Sequence, residues 1–296
     1  GLCPQCGHTL HIPAELASFS CMYCGARLTK EQLAAEPPAA QEADEDRAAY
    51  YDRAVSRLGW CIKNFGGYQK KIMRDVFFEA FETYETGCAP VIQELARGVA
   101  PEQQTQLLGR AATAMLDELE AGWQKKGDME DEKIVLAIFF VPMVRKQQLP
   151  ISEEFVTILQ KQWVERYPKS PFYLGDYESI SGGFRKKFLG LCFITTAVCQ
   201  ELGKPDDCEE LTAFRAFRDG YLRSQPDGEA LIREYYNIAP GIVTCINTCS
   251  DRHASYARIR EEYLAPCYQD LLAGRNESCK ARYVRMVRDL EREYLS

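Results

Sequence analysis

From about residue 47 onward, apolar side chains recur every three or four positions, and over residues 47–170 nothing alternates as a strand would. That period is the strongest constraint on the fold, because a strand cannot hold a stripe of period 3.6 on one face. Tyr68 to Tyr84 predicts a helix with Ile72, Val76, Phe77 and Phe81 on one stripe. Pro101 starts another, in which Leu107, Leu108, Ala111, Met115 and Leu119 follow at helical spacing. Ile134 to Val144 is apolar nearly all round, as a central helix would be, and Pro142 within it predicts a kink or an early end. Ser152 reads as a cap, with Glu153 and Glu154 at the positive end of the dipole and Ile151 stapled onto Val156. That helix ends before Pro168.

The N-terminal thirty residues carry different information. Cys3-Pro-Gln-Cys6-Gly7 and Cys21-Met-Tyr-Cys24-Gly25 are two CxxC knuckles. Each turn presents two thiolates at the separation tetrahedral Zn²⁺ requires. The following glycine can adopt positive φ and aim backbone N–H groups at the sulfurs. Cys3, Cys6, Cys21 and Cys24 together close a four-thiolate shell with no open position, which defines a structural rather than a catalytic zinc. His8 and His11 lie between the knuckles and read as loop residues once four cysteines are in place. This stretch resembles the zinc-ribbon family over residues 1–30, which implies short β-hairpins. Zinc ribbons recur in nucleic-acid-binding proteins. Here Arg27 and Lys30 stand against Glu15 with no basic stripe, so a protein contact or a stabilising role fits better.

Residues 31–46 are rich in Ala, Pro and acidic residues and lack a basic one, the composition of a semi-extended tether. The expected organisation is therefore a ribbon at 1–30, a linker at 31–46, and helical regions at 47–175 and 184–296. The two helical regions form one domain or two meeting near residues 171–187. The fold class is mainly α, a multi-helix body with a small N-terminal β zinc ribbon.

The most unusual local composition is Cys192-Phe-Ile-Thr-Thr-Ala-Val-Cys199, which follows Arg185-Lys186-Lys187. Read as a helix from Phe188 to Gly203, it places Leu191, Ile194, Val198 and Leu202 on one stripe. Cys192, Thr195 or Thr196, Cys199 and Gly203 make a neighbouring stripe of small residues. One reading is tight helix packing with thiols as small hydrophobes. The other is a reactive Cys192, activated by the helix N-terminus and the basic cluster. Gly182-Gly183 before that cluster reads as a turn or a weak anion cradle. Asp206 and Glu209 have the spacing of a capping box, and Arg215 and Asp219 can pair on the exposed face. Arg215 and Arg218, with Arg223, are candidate anion contacts. Cys245, Cys249 and His253 are spaced for a metal only if one helix carries all three, and Thr248-Cys-Ser250-Asp251 reads as a helix end. Tyr283, Met286, Val287, Leu290 and Tyr294 mark the core face of the last helix, after a turn at Gly274-Arg-Asn276.

Three stretches carry a second resemblance. Cys192-Phe-Ile-Thr-Thr-Ala197, Arg215-Ala-Phe217-Arg218-Asp219 and Tyr235-Tyr236 with Pro240, together with Gly228, resemble the bacterial CFI-box C-terminal domain over about residues 188–245. Many members have Ala-Tyr-Gly where this chain has Val198-Cys199-Gln200, and this chain continues well past the segment. The resemblance implies a bacterial source and brings no established activity.

Net charge is −7, which argues against non-specific nucleic-acid binding by the whole molecule. Thirteen cysteines, four in a metal pattern and the rest among apolar residues, point to a reducing compartment, and no secretory signal precedes Cys3. No apolar run approaches the ~20 residues of a membrane span. The expectation is a cytoplasmic protein of interaction, scaffold or regulatory type. The alternatives are an enzyme or covalently modified protein acting through Cys192, and nucleic-acid binding through the ribbon. The partner expected first is another protein, and the apolar helices leave room for a homo-oligomer without selecting one.

Overall fold

The computed structural model describes residues 18–21, 25–29, 44–185 and 192–296. Contacts gather the chain into two units, residues 1–49 and residues 50–296. In the first, β1 (Ser18–Ser20) and β2 (Arg27–Thr29) form an antiparallel hairpin that pairs Phe19 with Leu28. Cys21 is buried at its turn, where its backbone N–H donates to Ala26 O at 2.8 Å and its carbonyl accepts from Gly25 N at 2.8 Å. Gly25 has φ +75°, as expected of the glycine after a knuckle. Cys3, Cys6 and Cys24 lie outside the described residues, as do His8, His11 and most of the linker.

The body is mainly α, and none of its described helices is long and apolar enough to cross a membrane. Its first half comprises α1 (Asp44–Leu58), α2 (Trp60–Lys63), α3 (Phe77–Gly98), α4 (Gln104–Gly122), α5 (Lys126–Val135), α6 (Val141–Lys146) and α7 (Ser152–Arg166). α8 (Tyr177–Arg185), α9 (Phe193–Glu201), α10 (Glu209–Phe217) and α11 (Gly228–Cys249) follow. α12 (Arg252–Ile259), α13 (Ala265–Leu272) and α14 (Asn276–Tyr294) complete it. α4 packs along α7, and α11 is the hub, touching α5, α8, α9, α12 and α14.

Residues 134–144 are buried throughout, as their all-round apolarity predicts. Of the two expectations for Pro142, the early end is not met: Leu136–Phe140 forms a π turn in which Val141 N–H donates to Leu136 O, five residues back, and the helix runs on to Lys146. The wider turn leads directly into Pro142, which has no N–H to contribute. Arg260–Leu264 does the same before Pro266. A third π turn, Arg218–Leu222, has no proline at the matching position.

Tyr68–Tyr84 is not one helix. A 3₁₀ turn at Tyr68–Lys71 is followed by a break until Phe77. The backbone between is committed to α11 instead: Arg74 N donates to Asn237 O at 3.0 Å, and Asp75 N to Asn237 Oδ1 at 3.1 Å. Gly241 makes this contact possible, since a Cβ there would lie 1.9 Å from Ile72 O.

Other local expectations shift too. Ser152 does not cap α7; its hydroxyl donates to Val144 O at 2.8 Å and accepts from Leu149 N at 3.1 Å, bracing the preceding turn. Gly182 and Gly183 lie inside α8 and form no N-terminal cradle, and a Cβ at Gly183 would lie 3.9 Å from Thr244 Oγ1 of α11. α10 starts at Glu209 with Cys208 at its cap, and Asp206 is taken by Arg215. The described part of the Cys192 helix begins at Phe193, and residues 186–191 lie outside the described residues. By contrast, Ser250 ends α11 as its sequence indicates, and Asp251 Oδ1 caps α12 by accepting from Ala254 N at 3.1 Å. Gly274, at φ +69°, turns the chain into α14, where Met286, Val287, Leu290 and Tyr294 are buried.

Candidate functional site

Cys192 sits at the N-cap of α9 and is 4% exposed. Its neighbour is supplied from another part of the chain. Arg218 opens the proline-free π turn and is itself buried, and its Nη1 donates to Cys192 Sγ at 3.6 Å. Asp219 holds the guanidinium from the other side. Nε donates to Oδ1 at 2.8 Å and Nη2 to Oδ2 at 2.6 Å, so adjacent residues form a two-pronged pair. In a regular α-helix neighbouring side chains point about 100° apart, and the wider turn sits where this pair forms.

α11 and α14 close the site. Ile194 N–H at the start of α9 donates to Tyr235 Oη at 3.0 Å, and Thr195 Oγ1 lies 3.2 Å from Tyr283 Oη. The Tyr235 ring packs against Tyr236 and Tyr283 at centroid distances of 5.7 and 5.9 Å. Above Cys192 and Arg218 is a cavity of about 60 Å³, with Phe214, Phe217, Ile232 and Val287 among its walls. Glu234 and Arg288, which also line it, form an ion pair with Nη2 to Oε2 at 2.7 Å.

The electrostatics oppose one another. Burial pushes the Cys192 thiol up from its ordinary value, while the guanidinium of Arg218, and beyond it Arg215, pull it back. The net direction is upward, so the group rests as a thiol at neutral pH. Asp219 is held below the usual carboxylate range, chiefly by the hydrogen bonds from Arg218, which in turn is raised by them. Tyr235 and Tyr283 are both raised, mainly by burial, and remain phenols.

The remaining singled-out residues are elsewhere or otherwise engaged. Arg215 Nη2 donates to both carboxylate oxygens of Asp206 at 2.9 Å, and Arg223 Nε lies 2.9 Å from Glu229 Oε1, so the exposed Arg215–Asp219 pair does not form. Arg185 of the basic cluster pairs with Glu178. His253 is exposed and pairs with Glu201 at the far end of α9, a helix rise of about 13 Å from Cys192. Among the described residues, no histidine stands beside Cys192. Cys245 and Cys249 are buried on α11 and His253 stands on α12, so the break at Ser250 removes the alignment a second metal site needed.

The three stretches Cys192–Ala197, Arg215–Asp219 and Tyr235–Tyr236 thus meet at one point. The Arg218–Cys192 contact, however, spans 26 positions and left no periodic trace in the sequence. No protein-family model matches the chain, and no curated protein and no solved structure matches it either.

Proposed function

We propose that this chain is a cytoplasmic regulatory or scaffold protein, in which a structural zinc ribbon is joined to a helical body that binds rather than turns over its partner. One observation carries this reading. Cys192 is enclosed and kept protonated, and the cation beside it is already matched by Asp219. A nucleophilic cysteine needs the opposite, an accessible and electropositive setting with a base in reach. In the same reading Cys3, Cys6, Cys21 and Cys24 hold one Zn²⁺ that supplies folding energy to a module too small to have a core of its own.

The test is the pH dependence of Cys192 alkylation in the folded protein, resolved by peptide mapping. The expected result is labelling only after denaturation. Rapid labelling with an apparent pKa well below the ~8.5 of a free thiol would overturn the reading. A second reading, covalent chemistry at Cys192, would then replace it. That reading is favoured by the guanidinium contact at 3.6 Å, which would stabilise a thiolate once one formed.

A further inference from the structure

Among the described residues of the body, three pairs of cysteines bring their thiols together, and they differ in exposure. Cys88 Sγ lies 3.9 Å from Cys61 O, and Cys267 Sγ 3.9 Å from Cys279 O, with all four residues fully buried. In the third, Cys208 Sγ lies 3.9 Å from Cys199 Sγ, and Cys208 is only half-buried. We propose that Cys199 and Cys208 form a redox-reactive dithiol that closes to a disulfide when peroxide reaches Cys208.

The backbone is already folded for it. α9 ends in a Schellman turn: Gly203 N–H donates to Gln200 O at 3.0 Å and Lys204 N–H to Cys199 O at 2.9 Å. Gly203 holds the left-handed conformation this turn requires, with φ +67°. Cys208 N–H then donates to Pro205 O at 3.1 Å, which brings the cap of α10 back beside the last turns of α9. Closing the bond needs the sulfurs to approach by about 2 Å, within reach of side-chain rotation and a small backbone adjustment.

The chemistry balances with hydrogen peroxide as oxidant. The half-buried Cys208 sulfur attacks one peroxide oxygen, the O–O bond breaks, and Cys208 sulfenic acid and water result. Cys199 sulfur then attacks the Cys208 sulfur, the S–O bond breaks, and the hydroxide leaves with the Cys199 proton as a second water. Cys199 is buried and Cys208 only half-buried, so oxidant meets Cys208 first; burial also pushes the Cys199 thiol up to about 12, and the 3.9 Å Sγ–Sγ separation offsets its small thiolate fraction in the second step. A dithiol reductant reverses the step by exchange. The bond would tie the C-terminal end of α9 to the start of α10, the helices that carry Cys192 and lead into Arg218.

The experiment is a peroxide titration of the native full chain, followed by thiol blocking, proteolysis and mass mapping. The expected product is a Cys199–Cys208 cross-linked peptide, about 2 Da lighter than the two thiol peptides and restored by dithiothreitol. Cys61, Cys88, Cys267 and Cys279 should remain alkylatable after unfolding. Cys208→Ser, a substitution that suits a helix cap, should abolish the cross-link. Cys199→Ser should leave a sulfenic acid at position 208 that dimedone traps. Recovery of both thiols unoxidised, conversion of Cys208 to sulfinic acid without a cross-link, or pairing of either residue with a different cysteine would each overturn the proposal.

Discussion

The π turns at Leu136–Phe140 and Arg218–Leu222 use one backbone device in opposite surroundings. In the first, all five side chains are buried and apolar, and Phe139 is ringed by Tyr68, Phe77, Tyr84 and Phe81 at 5.2 to 6.2 Å. A proline follows, and the turn is accounted for by the N–H that proline lacks. In the second, only Arg218 is buried, Ser224 stands where the first has its proline, and the turn accompanies a guanidinium held between a thiol and a carboxylate. The lesson is that local sequence explains the first irregularity and only the tertiary partner explains the second.

The largest effect expected from breaking this comparison is Phe139→Ala. Removing a fully enclosed ring should destabilise the protein by about 3–5 kcal/mol, read as a lower urea midpoint. Alkali probes the apolar side by another route. Burial pushes Cys249 to about 12 and raises Cys245 in the same direction. Below pH 9 both states keep these protons. Between 9.0 and about 12 the unfolded chain ionises and the folded one does not. The unfolded state then binds fewer protons, so stability must fall as pH rises through that window, on the order of 4 kcal/mol for Cys249 alone. A urea midpoint that stays level from pH 9 to 11 would contradict this.

Arg218→Met should cost less, about 1–2 kcal/mol, because Asp219 is half-exposed and its charge can rehydrate when the partner is gone. A loss as large as that of Phe139→Ala would make the polar turn the structural keystone and erase the contrast. The smallest stability change, about 1 kcal/mol, is expected for Asp219→Asn, because the amide oxygen still accepts from Arg218 and water reaches the half-exposed side chain. Its signal should lie in titration: with the carboxylate charge removed, the field at Cys192 becomes more positive, and the Cys192 thiolate should form at lower pH than in the parent, read by thiolate absorbance against a Cys192→Ser control. An unchanged titration would detach Asp219 from the site.

Much of this architecture was legible in the chain. The 3.6 period over residues 47–170 gave the helical class, Gly274 and Ser250 gave their turns, and the unbroken apolarity of residues 134–144 gave their burial. These are properties of neighbours within a few positions, where capping chemistry and side-chain period act. What failed were choices between competing hydrogen-bond partners. Ser152 and Asp206 both have capping geometry in sequence, yet one braces the turn before it and the other holds Arg215. The break before Phe77 exists because Asn237, more than 160 positions away, offers its oxygens to that backbone.

The sequence by itself therefore determined the helical class and singled out Cys192 from local composition, but it placed Cys192 inside a helix, whereas the structure makes it the non-helical cap before Phe193. Only the tertiary structure decided that Arg218, 26 positions along the chain, meets Cys192. It also decided that Tyr235 and Tyr283 enclose the thiol and that His253 stands at the other end of the helix. The physical reason is that burial and charge pairing are set by which elements pack together. α11 brings those elements together at separations that no local pattern records.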